Sequence, residues 1–138
     1  MQPSPLLGPV VALVAWSLLV LLWLAAVRFP LLRGKPIPPG SRGADLERQL
    51  PGKTNWPAHN YAHLVEQPTL FYAIVLTLVL MDFDHPVNVW LAWGYVAFRI
   101  AHSIVQITVN IVRVRLILFL LSTLCLISLT IHAALRLT

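Results

Sequence analysis

Charge is scarce in this chain, and acidic charge scarcest of all: 138 residues carry five Asp or Glu against ten Lys or Arg, only 11% charged. A soluble domain has about a quarter charged residues, so an ordinary soluble protein is excluded. The hydrophobic share of 58% and a mean hydropathy of +0.77 point instead to a small integral membrane protein. Cysteine is nearly absent. The single Cys125 excludes an intramolecular disulfide framework, and its apolar surroundings make it a packing residue. There is no internal repeat and no low-complexity tract. The net charge of +5 contains no basic run interleaved with aromatics, so it does not read as a nucleic-acid surface. The basic residues flank apolar segments and carry topology instead.

A chain of this length makes one domain, with room for four spans of about 20 residues each. Residues 1–27 hold no charged side chain, and Leu6–Val27 is an apolar run of spanning length without the basic start of a signal peptide. A first helix over about 6–28 is expected, ending at Arg28 and Pro30. Residues 29–56 form a loop broken by Pro36, Pro38, Pro39 and Pro51, with Gly34, Gly40, Gly43 and Gly52. The stretch from Arg28 to Lys53 holds six Lys or Arg against only Asp45 and Glu47, which predicts a cytoplasmic loop. A second span over about 57–81 follows, with Pro68 expected to loosen it just after Glu66, because its ring blocks the bond to the carbonyl four residues back. The acidic turn Asp82–His85 leads to a third span over about 87–111, opened by Trp90, Trp93 and Tyr95. Arg113 and Arg115 form a second basic connection, and a fourth span covers about 115–136. The expectation is an all-α membrane protein, a bundle of four transmembrane helices with both termini on the non-cytoplasmic side.

Ionisable side chains within hydrocarbon are costly unless paired or facing water, which makes them functional candidates by default. If the hairpin turns near Asp84, Glu66 lies eighteen residues before the turn and His102 eighteen after it, at matching depth. Residues three, four and seven apart share a helix face, so His59, His63 and Glu66 form one stripe and Arg99, His102, Gln106 and Asn110 another. Arg99 is the partner that depth suggests for Glu66. A clamp between helices, with no ligand, is the plain alternative for that pair. His59, His63, Glu66 and His102 also resemble a metal set, but the spacing matches no zinc signature and Arg99 opposes a cation, so no metal is expected. The third-helix stripe runs toward Arg113 and Arg115, and a cationic mouth above a polar cleft suits a small, multiply charged, water-soluble molecule.

These stretches resemble the membrane-associated proteins in eicosanoid and glutathione metabolism (MAPEG). The order of four spans, the long first cytoplasmic loop and two motifs carry the resemblance. The family pattern Arg-x-x-x-Asn-x-x-Glu reads here as His59-x-x-x-His63-x-x-Glu66, with histidine at both of the first two positions, and Arg99-Ile100-Ala101-His102-Ser103 is similar to the Arg-x-x-His stretch of the prostaglandin synthase branch. Gln106 stands where a tyrosine is common. The run Leu64–Tyr72 resembles bacterial members, implying a bacterial inner membrane. The resemblance implies a homotrimer that binds glutathione between subunits near the cytoplasmic face. His59, His63, Glu66, Arg99, His102 and Gln106 would line that cleft, with Glu66 on the glutathione amino group. Either Arg113 or Arg115 would stabilise the thiolate, since a cation beside a thiol favours its nucleophilic form.

The activity so implied is a glutathione-dependent transferase or peroxidase acting on a hydrophobic small molecule within membrane lipid. The alternative is a non-catalytic member of the same fold that binds lipid or a partner protein. A channel reading is weaker, because Glu66 is the one acidic residue in any span.

Overall fold

The computed structural model describes residues 3–138 as helices joined by short turns and one longer loop. Helix α1 spans Leu7–Leu32, a short α2 spans Gly43–Glu47, α3 spans Trp56–Glu66, α4 spans Pro68–Leu80, α5 spans Pro86–Thr108 and α6 spans Val112–Leu137. No strand occurs among the described residues.

Helix α1 continues past its expected end, through Pro30 to Leu32. In the last turn a proline removes only the bond to the Ala26 carbonyl, a small loss. The Arg33 amide then bonds the Phe29 carbonyl at 3.1 Å, and Gly34, at φ +80°, turns the chain away in a conformation open to glycine. Glu47, at the end of α2, ties the following loop to the bundle. Its carboxylate lies 3.7 Å from Arg28 of α1 and 3.0 Å from His59 of α3.

Pro68 interrupts the second membrane segment where the sequence places it. Gln67 keeps helical angles (φ −62°, ψ −37°) between α3 and α4, but Pro68 has no amide to offer the Leu64 carbonyl. The backbone stays helical while its hydrogen-bond ladder breaks one residue beyond Glu66.

Three segments are long and apolar enough to cross a membrane: Leu7–Leu32, Gly52–Leu80 and Val112–Leu137. Helix α5 has the length, at 23 residues, but not the apolarity. Its buried face holds Asn88, Arg99, His102, Ser103 and Gln106. It packs along α6 and also touches α1 and α3. Small residues permit these approaches, as expected where lipid supplies little hydrophobic drive. A Cβ on Gly8 would meet the Trp93 ring at 3.3 Å, and one on Gly94 would meet Cys125 Sγ at 3.4 Å. The core between the helices includes Leu13, Leu64, Phe71, Val75, Tyr95, Val96 and Leu129, with the Phe71 and Tyr95 rings stacked at 4.3 Å.

The α5–α6 connection differs from its expected form. Helix α5 ends at Thr108, Asn110 takes a left-handed φ of +52°, and α6 begins at Val112. Asparagine tolerates that conformation better than most residues, so the chain reverses early. Arg113 and Arg115 therefore sit in the first turn of α6 rather than in a loop, and Asn110 leaves the α5 stripe. Both ends of the described chain lie beside the acidic turn, since Pro5 shares a groove with Asp84 and the Arg136 guanidinium lies 5.3 Å over the Phe83 ring.

Candidate functional site

Helix α5 turns its polar stripe inward, which brings Arg99 into the bundle at 1% exposure. Its Nη2 donates to the His63 carbonyl of α3, and its guanidinium lies 5.7 Å over the Phe119 ring of α6. Nε and Nη1 have no hydrogen-bond partner. A buried cation with two idle donors is expensive for a fold and well suited to receiving an anion.

One turn further along α5, the buried His102 ring packs edge-on against His63, with centroids 6.0 Å apart. These two histidines, with Val112, Arg115, Leu116 and Phe119, line a cavity of about 260 Å³. Arg115 is held there by the displaced Asn110, whose Oδ1 accepts from Nη1 at 2.6 Å; its buried Nε is unpartnered. The early turn at Asn110 thus places Arg115 on the cavity wall. Arg113 is exposed and lies outside that lining.

The other expected residues divide. Gln106 is buried at 2% exposure with Oε1 unpartnered, on the same α5 face as Arg99 and His102. His59 is exposed and committed to Glu47. Glu66 does not pair with Arg99. Its side chain is 68% exposed and lies 3.5 Å from His63 of its own helix. The two polar stripes therefore meet at His63, through its ring against His102 and its carbonyl under Arg99, and the inward face of α3 is Pro57, Asn60 and Leu64. Among the described residues no group of three or more His, Cys, Asp or Glu could hold a metal ion.

That inward face reveals polar groups that sequence reasoning passed over. Asn60, fully buried, donates to Ser103 Oγ, which also accepts from Trp16 Nε1 at 2.9 Å. This network joins α1, α3 and α5 beside His102. Gln67 donates to Thr123 at 2.9 Å and anchors α6 at the proline break. The available signal was the buried α3–α4 register of Asn60, Leu64, Gln67 and Phe71, one helical notch from the histidine stripe.

A model of the MAPEG family matches residues 6–135. The chain belongs to the MAPEG family. No curated protein and no solved structure matches it significantly. In this MAPEG member, His63, His102 and Arg115 line one cavity, Arg99 lies one turn away along α5 over the lining residue Phe119, and Glu66 stands on the outer edge of the same α3 turn as His63.

Proposed function

We propose that this MAPEG protein is a glutathione-dependent transferase or peroxidase acting on hydrophobic electrophiles or lipid hydroperoxides, working as a homotrimer of four-span subunits. In this reading α5 is the fourth membrane-crossing helix, shielded by its neighbours. The basic loop Arg33–Lys53 faces the cytoplasm of a bacterial inner membrane, and both termini lie on the opposite side.

The observation that carries the reading is the idle buried donor of Arg115 in the wall of the His63–His102 cavity, with two more on Arg99 one turn away along α5, over the lining residue Phe119. They suit an anionic, water-soluble ligand, and Gln106 Oε1 offers an acceptor on the same face. The cavity volume of about 260 Å³ falls just below the ~300 Å³ at which ligand pockets usually begin. A neighbouring subunit would supply the missing wall, and the outward Glu66 would then face the ligand amino group across the interface. Arg115 holds the thiol as thiolate by its charge. The thiolate forms a carbon–sulfur bond with an electrophilic lipid. In a substitution the bond to the leaving group breaks and that group takes the proton the thiol gave up; in an addition the double bond opens and its far carbon takes it.

A second reading rests on the larger groove of about 590 Å³ between α4 and α6, walled by Leu70, Ile74, Leu126 and Ile127. A non-catalytic member would use it to hold lipid or a partner. Arg115→Ala separates the two. Under the catalytic reading it lowers turnover of a glutathione-dependent model substrate by ~10²-fold; no turnover in the unaltered protein would favour the second, and turnover equal in both would show catalysis that does not use Arg115.

A further inference from the structure

A second polar pocket lies at the opposite end of the bundle, beside the acidic turn. It encloses about 450 Å³ and is lined by Phe83, His85, Val87, Asn88, His132, Leu135 and Arg136. Its hydrogen bonds fix the polarity of both histidines. Asn88, fully buried, donates through Nδ2 to the Phe83 carbonyl at 3.1 Å. Its Oδ1 must therefore be the atom 2.7 Å from His132 Nδ1. An amide oxygen only accepts, so Nδ1 carries a proton, and in the tautomer this selects the lone pair is on Nε2.

His85 is arranged the other way. Its Nδ1 accepts the Val87 amide at 3.3 Å, so its ring proton sits on Nε2 and that nitrogen donates. Arg136, four residues beyond His132 on the same face of α6, adds a guanidinium braced over Phe83. The pocket therefore sets two donors, one of them cationic, against one acceptor. Its flanks are apolar and open, with Val87 46% and Leu135 68% exposed.

We propose that this pocket binds the phosphoethanolamine headgroup of a membrane phospholipid, with the phosphate on Arg136 and His85 and the ammonium donating to His132 Nε2. Val87 and Leu135 lie where the acyl chains leave the headgroup. Arg136, near the end of a spanning helix, sits where basic side chains meet the lipid interface. The His63–His102 cavity plays no part in this binding.

The test is native mass spectrometry of the full chain in detergent, titrated with phosphatidylethanolamine, phosphatidylcholine or soluble glycerophosphoethanolamine. Phosphatidylethanolamine should give a retained adduct about tenfold stronger than phosphatidylcholine, whose quaternary nitrogen has no N–H to donate. Arg136→Gln and His85→Ala, both at exposed positions, should each weaken that adduct by about tenfold. The soluble headgroup should give none, because it has no chains for the apolar flanks. Equal retention of the two lipids, an adduct unchanged by both substitutions, or an equally strong adduct with the soluble headgroup would each overturn the proposal.

Discussion

Replacing Arg99 with methionine separates a ligand-binding arginine from a structural clamp. Arg99 makes one hydrogen bond, to the His63 carbonyl, and one ring contact, to Phe119, while leaving two buried donors idle. Losing a charged hydrogen bond costs ~1.5–3 kcal/mol and losing the ring contact ~0.5–2 kcal/mol. Removing two unsatisfied donors returns ~1–3 kcal/mol each, and methionine fills much of the volume with a flexible apolar side chain. The opposing contributions nearly cancel, in keeping with buried ions whose apolar replacement is often neutral or stabilising. The unfolding temperature in detergent should then move by less than about 8 °C, using roughly 4 °C per kcal/mol for a chain of this size. Glutathione affinity should fall by about tenfold or more. A Tm loss beyond about 10 °C with ligand affinity intact would make Arg99 a clamp and refute the reasoning.

Other substitutions probe the remaining links. Arg113→Ala should leave turnover within about twofold of the unaltered protein, whereas Arg115→Ala should lower it by ~10²-fold, the scale of one lost electrostatic contact to a developing or held anion; steady-state kinetics of the pair decides. Ser103→Ala leaves the Trp16 and Asn60 donors unpaired, so it should destabilise the bundle by ~2–4 kcal/mol, read from unfolding in detergent. Pro68→Ala supplies the amide that the Leu64 carbonyl lacks, and hydrogen exchange around Gln67 should slow measurably; unchanged exchange would show that the break does not depend on the proline. Glu47→Gln removes the charge shared by Arg28 and His59 and should speed limited proteolysis within residues 34–42.

Much of the fold was legible because three of its segments are written as apolar runs, and the family resemblance rested on the spacing of a few polar residues in α3 and α5. Helix α5 shows the limit of hydropathy. Its Asn88, Arg99, Ser103 and Gln106 lower its apolarity because they face inward, so periodicity finds the helix while composition does not class it as a span. Spacing also grouped His59, His63 and Glu66 correctly on one side of α3 without saying which way that side points. The inward direction is set by Pro57, Asn60 and Leu64, and by Glu47 of α2 capturing His59, a contact between separate segments that no local pattern encodes. That Arg115 rather than Arg113 lines the cavity follows from the early reversal at Asn110, whose tolerance of positive φ was the one sequence cue to it.

The central claim is that the cavity between α3, α5 and α6 takes glutathione. Isothermal titration of the detergent-purified protein with glutathione up to about 10 mM, beside Arg115→Ala and Glu66→Gln, addresses it most directly. Saturable binding with a Kd at or below about 1 mM, weakened in both variants, is the predicted result. No binding across that range, or binding indifferent to both substitutions, would contradict it.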